Sequence, residues 1–525
     1  MCINITTQEK DRKYYEFDYF KRLFEEEYRL FKSRTARWIG IPEKIKKSNK
    51  TMRNNISFFI LLSFLILFSS GCRKKTVSPL SDNLYEDSPF GFLGQYMDNS
   101  ITEQTYAAYG GYSQIQATYV DLGVHWDRGS GRNGAATWGA LENNIDGYRD
   151  QFNNYVNTAY KNDINLLITI DPGYSDKDYS DYLPSDLDAY AGFVRSLVQT
   201  YPAVKYWQIH NEVNGNVFWK DTPQNYALLV RATSEAIREN CPDCKIVLGS
   251  SINVDASGEA LQIETYFEPF FQELNKTGNN YFDVFDYHFF APKGYTPETY
   301  YRALDDGIAS VRKLLQQYGY TDSEIWITET MIFTTDGMSS SEILNLPAEY
   351  QAISETQQAS ALFKTYITAL SLGVKKIFWN KLTEGPWFDF MFNRCGLIRH
   401  PDISGSTDKK LAYFTCKLLV ETLDGLDWES MDKIRDSNGI NLFRLNNENN
   451  SAWIAWNDST GPAQITISNI ISGSIQVTEV IPDKTSGTYV YSQNYPDIFN
   501  TYTINVNDGT ASITLDSIPV FIKEK

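Results

Sequence analysis

Histidine and cysteine are scarce in this chain, 4 and 6 of 525 residues, and they are scattered. One CxxC occurs, in ENCPDCKIV (Cys241 and Cys244), but no second pair accompanies it to complete a four-thiolate zinc site. The spacing is compatible with redox chemistry, yet a local disulfide or two plain thiols is the simpler reading. An excess of basic charge is also missing, since the formal net charge is −17. Residues 1 to 71 carry 14 Lys/Arg and 8 Asp/Glu, so the remainder stands at −23. Such a surface repels nucleic acid and other anionic polymers, which excludes a phosphate-backbone partner. Long apolar runs are lacking too. The longest, Ile56 to Phe68, is too short to span a bilayer and suits the core of a signal peptide. What is present is ample apolar material, 42% with 14% aromatic, in a chain long enough for a large core plus a smaller module.

The apolar run lies in MRNNISFFILLSFLILFSSGC, residues 52–72, behind a single Arg and ahead of small residues and Cys72. This arrangement resembles the processing site of bacterial lipoproteins, with Ser69 standing where that pattern prefers Leu. The resemblance implies that Cys72 is lipidated, becomes the mature amino terminus and tethers the chain to a membrane in the cell envelope, at its surface or in the periplasm. An uncleaved signal anchor is the other reading. Residues 1–51, which include KRLFEEEYRLFKSR, read as an over-extended gene call with translation starting at Met52, or as a short cytoplasmic helix. Residues 73–88 read as a linker.

From residue 89 to 426, strand-like and helix-like patterns alternate. Strand patterns occur at FGFLGQYM (Phe90 to Met97), YVDLGVHW (Tyr119 to Trp126), INLLITI (Ile164 to Ile170), VKYWQIH (Val204 to His210), KIVLGS (Lys245 to Ser250), FDVFDYHFF (Phe282 to Phe290), EIWIT (Glu324 to Thr328) and KKIFWN (Lys375 to Asn380). Amphipathic stretches such as Asp186 to Tyr201, Asn225 to Asn240 and Glu298 to Gly319 separate them. Eight such units predict an α/β fold, the (β/α)8 TIM barrel. An open doubly wound sheet competes, but no GxGxxG follows the first strand. Residues 427–525 change to short alternating segments such as INLFRLN, AWIAWN and YTINVN, with turn signals between them, which predicts a small C-terminal antiparallel β-sandwich. Packing against the barrel suits it better than sugar binding.

Barrel active sites lie at the carboxyl ends of the strands. Glu212 follows the fourth strand in YWQIHNEVNG, and Glu329 ends the seventh in EIWITETM. Two acids so placed can face each other across the mouth, as glycosidic bond cleavage requires: one protonates the leaving oxygen while the other attacks the anomeric carbon or activates water.

YWQIHNEVN followed by WITET resembles glycoside hydrolase clan A, the TIM-barrel retaining glycosidases. LGVHWDR, FDVFDYHFF and IFWNKL resemble its second, sixth and eighth strands, and HNEVNGNVFW with the C-terminal sandwich looks most like family 39 and its relatives. The resemblance implies Glu212 as general acid/base and Glu329 as nucleophile in double displacement on a poly- or oligosaccharide, β-linked by expectation. It implies Asn211 on the hydroxyl next to the anomeric carbon, Arg128 paired with Glu329, one of Tyr287 and His288 (the clan pattern favours His288) lining the site, and Trp379 as a flat floor extended by Trp219. His210 and Met331 depart from the clan's usual residues. No metal or organic cofactor and no obligate protein partner is implied, since two carboxylates suffice. A transglycosidase would use the same residues; a glycan-binding surface lipoprotein that has lost turnover is a reading of another class. The segment Thr383 to Asp408, with Trp387 and Phe388, is expected to form part of the substrate wall.

Overall fold

The computed structural model describes residues 87–94, 112–130, 134–173, 182–255, 258–278, 280–336, 338, 340–346, 348–385, 391–401, 405–423, 426–446 and 451–525. The expected extension 1–51, the leader with Cys72, most of the linker, and Trp387 and Phe388 lie outside the described residues. No described helix is long and apolar enough to cross a membrane.

Eight parallel strands close into a barrel: β1 (Phe90–Leu93), β2 (Trp126–Gly129), β3 (Asn165–Asp171), β4 (Tyr206–Ile209), β5 (Lys245–Leu248), β6 (Val284–His288), β7 (Glu324–Thr330) and β8 (Lys376–Trp379). Each pairs with its neighbours in chain order, and β1 with β8 completes the ring. A helix follows every strand: α1 (Tyr112–Leu122), α2 (Tyr148–Lys161), α3 (Leu187–Thr200), α4 (Pro223–Asn240), α5 (Ile263–Leu274), α6 (Ala303–Tyr318), α7 (Glu355–Ser371) and α8 (Leu411–Leu423). Local chemistry sets their ends. Asp186 and Thr222 cap α3 and α4, Pro223 opens α4 where its missing N–H costs nothing, Ser354 and Gln357 form a reciprocal cap on α7, and Gly319 at φ 86° closes α6.

One expected strand is a correction. YVDLGVHW is split, with Tyr119 to Leu122 completing α1 and the strand beginning at Trp126. Tyr119 and Leu122 are buried while Val120 is 74% exposed, which is helical spacing, and Gly123 at φ 68° ends the turn.

The barrel interior is layered, as alternation along each strand requires. Nearest the amino ends, Trp126, Tyr206, Trp326 and Phe378 pack with Leu167, Val247 and Val284. Above them Arg128, Thr169, Gln208, Asp286 and Thr328 form a polar layer, fully buried and hydrogen-bonded throughout. The residues between these face the helices. Asp127 accepts from the hydroxyls of Tyr119 and Tyr155, both at 2.7 Å.

The C-terminal module has a six-stranded antiparallel sheet in the order β9-β10-β11-β16-β13-β14 and a two-stranded sheet β12-β15. Its strands are β9 (Asp432–Ser437), β10 (Ile440–Asn446), β11 (Ser451–Asn457), β12 (Ala463–Ser468), β13 (Ser474–Glu479), β14 (Thr501–Asn505), β15 (Thr510–Leu515) and β16 (Val520–Glu524). One face of the larger sheet, with Leu442, Trp453 and Ile522, packs on Ile465 and Ile513 of the smaller. The other face, with Phe443, Leu445, Ile454 and Trp456, joins the barrel core. Alternation explains why AWIAWN is apolar at nearly every position: both faces are covered. Trp456 donates its indole N–H to the Tyr301 hydroxyl at 3.0 Å, and Thr415 donates to the Val480 carbonyl at 2.8 Å. Sandwich and barrel belong to one compact unit, Asp82–Lys525.

Cys241 and Cys244 are joined in a disulfide at the carboxyl end of α4, while Cys395 and Cys416 are buried free thiols.

Candidate active site

Beyond β4 the chain turns sharply: His210 at φ 72° and Glu212 at φ 41° both take the left-handed conformation. For residues with a Cβ this costs on the order of 1–3 kcal/mol each, so the surroundings must hold it. They do so from three sides. Ser250, just past β5, accepts from the Glu212 N–H at 3.0 Å, and its carbonyl accepts from Val213 at 3.1 Å. The Asn211 N–H is capped by His210 Nδ1 at 2.8 Å. Tyr226 of α4 donates to the Ile209 carbonyl and receives the Gly249 N–H, tying the ends of β4 and β5 together. A Cβ on Gly249 would sit 2.3 Å from the Ile209 carbonyl oxygen, which is backbone and cannot swing aside. Gly249→Ala is therefore expected to lower stability by about 1–3 kcal/mol, read as a lower thermal midpoint.

The turn brings Glu212 opposite Glu329. One carboxylate oxygen of each, with a ring nitrogen of His288, lie within 4.8 Å of one another. This is also the grouping of acids, His and Cys among the described residues close enough to hold a metal ion, and it would occupy both carboxylates.

The two acids have different company. Arg128 lies 3.5 Å from Glu329 through Nη1, and Asn380 donates to Glu329 at 2.9 Å. Glu212 Oε1 meets His288 Nδ1 at 2.8 Å. Burial pushes Glu212 up to about 7, against the pull of Arg128. Burial raises Glu329 above the ordinary carboxyl value as well, opposed by His288, reinforced by the Glu212 charge, and opposed again by Arg128 and Asn380. Burial drives the His288 imidazole down to about 4, so it is neutral near pH 7 despite Asp286 and Glu329.

Arg128 is buried and spans the site: Nη2 donates to Asn211 Oδ1 at 2.6 Å and Nε to Gln208 Oε1 at 2.9 Å. Ser250 also donates to Asn211 Oδ1, at 3.2 Å. With both bonds on its oxygen, Asn211 keeps its NH2 as the donor for a ligand.

The pleat of β6 separates Tyr287 from His288. His288 points into the barrel. Tyr287 points outward, where a Cβ on Gly307 of α6 would come within 2.2 Å of its hydroxyl. Neither tryptophan offers a platform, which corrects both expectations. Trp379 is 1% exposed, faces the helices because its neighbour Phe378 fills the barrel, and donates its indole N–H to the Cys395 carbonyl at 3.1 Å. Trp219 is wholly buried, its ring 5.2 Å from that of His210, so it props the turn from behind.

Several residues at this end went unread in the sequence: Gln208, Ser250, Asp286, Thr328 and Asn380. Asp286 and Thr328 carried a usable signal, since each stands two positions from a residue on the same face of its strand, His288 and Trp326. Asn380 was hidden by the irregular register between β7 and β8, which shifts between Ile377 and Trp379.

The chain matches no protein-family model and no curated protein by sequence. Solved structures do resemble it. A family 39 glycoside hydrolase from the gut symbiont Bacteroides cellulosilyticus WH2 is 15% identical over 83% of this chain and 81% of its own, with a TM-score of 0.55. A family 51 α-L-arabinofuranosidase from Bifidobacterium longum is 14% identical over 82% and 95%, with a TM-score of 0.55. A GH39 β-xylosidase from Caulobacter crescentus is 14% identical over 84% and 96%, with a TM-score of 0.52. At such identity the likeness concerns the fold.

Proposed function

We propose that this protein is a retaining glycoside hydrolase that cleaves O-glycosidic bonds of poly- or oligosaccharides by double displacement. The observation that carries the reading is the pair Glu212 and Glu329, with carboxylate oxygens within 4.8 Å and contrasting partners. Retaining enzymes hold their carboxyl groups about 5–5.5 Å apart, whereas inverting ones leave about 6.5–9.5 Å for a water. The solved structures it resembles, glycosidases by their descriptions, support the same reading.

Glu212, with its carboxyl pushed up to about 7, is the acid that protonates the leaving oxygen. Glu329, beside Arg128 and Asn380, is the nucleophile that attacks the anomeric carbon. Water, activated by the Glu212 carboxylate, then releases the sugar. The Asn211 NH2 binds the hydroxyl next to the reacting carbon, a bond that strengthens in the transition state.

Activity requires Glu212 protonated and Glu329 ionised. The profile of kcat/KM against pH is therefore expected to fall as pH rises through about 7, and its acid limb to lie above the ordinary carboxyl value. A panel of aryl glycosides of both anomers and several polysaccharides tests the reading. With an activated aryl leaving group, azide should restore turnover to Glu212→Ala and give a glycosyl azide of retained configuration. An inverted azide, or no turnover by the unaltered protein on any member, would sink the proposal.

The proposal extends to location: export and lipidation at Cys72. The leader pattern supports it, and so does the Cys241–Cys244 disulfide, a bond that persists in oxidising compartments.

A further inference from the structure

The polar layer beneath the two acids has a direction. Asp286 accepts the Thr328 N–H on Oδ1 at 3.0 Å, and the Thr328 hydroxyl on Oδ2 at 2.6 Å. Gln208 also donates to Oδ2, and its orientation is set because its Oε1 already accepts from Arg128 and Thr169. A hydroxyl has one proton, and that of Thr328 is committed to Asp286. Thr328 Oγ1 therefore faces His288 Nε2, 3.2 Å away, as an acceptor, and Nε2 must carry hydrogen. In a neutral imidazole the other nitrogen is then a bare lone pair. That nitrogen is Nδ1, 2.8 Å from Glu212 Oε1, so the proton of this contact belongs to the carboxyl.

We infer that Asp286, Thr328 and His288 form a directed hydrogen-bond chain that holds the proton on Glu212. These three are positioning residues acting through Glu212, and the inference rests on the glycosidase reading for its kinetic part. The charged and titratable groups facing His288 and Glu212 are Asp286, Glu329 and Arg128. Once Glu212 has given its proton to the leaving group, its carboxylate faces the Nδ1 lone pair. That repulsion makes it a stronger base toward the incoming water. One chain thus serves both halves of the reaction, and no proton leaves the histidine.

The direct test needs no substrate. The chain contains four histidines, so nitrogen-15 labelling of histidine gives few resonances, and the His288→Asn variant assigns the one in question. At pH 6 His288 is expected as the neutral tautomer with hydrogen on Nε2; hydrogen on Nδ1 would overturn the chain. The kinetic test is Thr328→Val, which deletes the link and keeps the shape. The alkaline limb of its kcat/KM profile is expected to move down by about one pH unit, and Thr328→Ser to restore it. An active Thr328→Val enzyme with an unmoved limb would overturn the inference and leave the glycosidase reading standing. Absence of turnover by the unaltered protein would sink that reading, while the tautomer still decides the chain. Should Thr328→Val not fold, the tautomer decides alone.

Discussion

Glu329→Ala is expected to lower kcat/KM by about 10⁴-fold or more on whichever aryl glycoside the unaltered protein turns over, with azide unable to restore the original mechanism. So large a loss is expected because, in the proposed double displacement, the variant removes the atom that forms the covalent bond, not an accessory to it. The fold should survive. Removing Glu329 relieves a carboxylate raised by burial and by Glu212 but also loosens its 3.5 Å pairing with buried Arg128, which keeps Gln208 and Asn211 as acceptors, so the two effects oppose each other. The thermal midpoint is expected to change little, and that separates lost chemistry from lost structure. A fall in activity accompanied by unfolding would leave the role of Glu329 unproved; residual activity above about 1% of the original would argue against a nucleophile.

The largest expected effect on stability lies far from the acids, where the sandwich meets the barrel. Asp458 follows β11 and accepts from Lys364 of α7 at 2.8 Å, from Arg302 at 3.1 Å and from the Tyr301 hydroxyl. The Lys364 side chain is wholly buried, and burial pulls its ammonium below the ordinary lysine value against the attraction of Asp458. Asp458→Ala strands that charge. The expected cost is about 3–5 kcal/mol, seen as a thermal midpoint lower by roughly 5 °C. Adding Lys364→Met should recover most of the loss, because two apolar groups can replace a buried pair at little net cost. If the double variant were no better than Asp458→Ala, the ion pair would not be the source. The chemistry at the barrel mouth should be indifferent to both changes.

Legibility in the sequence followed from what each residue's neighbours are. Either Glu212 or Glu329 alone reads as a solvated acid at a strand end; together, at the carboxyl ends of the fourth and seventh barrel strands, they point to one cleft. The barrel itself was readable from eight alternations, and the sandwich from a change of period. Three readings failed for local reasons. YVDL is rich in strand-forming residues, and its helical spacing shows only once Val120 and Asp121 are seen to be exposed. The resemblance of IFWNKL to the clan's eighth strand points Trp379 to the mouth, whereas the pleat puts Asn380 there. Trp219 sits in a loop, where no periodicity announces its direction. The polar layer escaped notice because Gln208, Asp286 and Thr328 are single polar letters inside apolar strands, and their meaning lies in partners on other strands.

The order of the larger C-terminal sheet bears on how the chain is made. β16 lies between β11 and β13, pairing with both, although it is the last strand of that sheet in chain order. A growing polypeptide emerges from the ribosome amino end first, so β9-β10-β11 and β13-β14 exist as two separate pieces until residues 520–524 appear. Until then both flanks of the gap present unpaired edges, and the sheet that covers part of the barrel is incomplete. Without residues 520–524 the barrel with both acids would lie beneath an open sheet, its exposed edges on β11 and β13 free to pair with another chain.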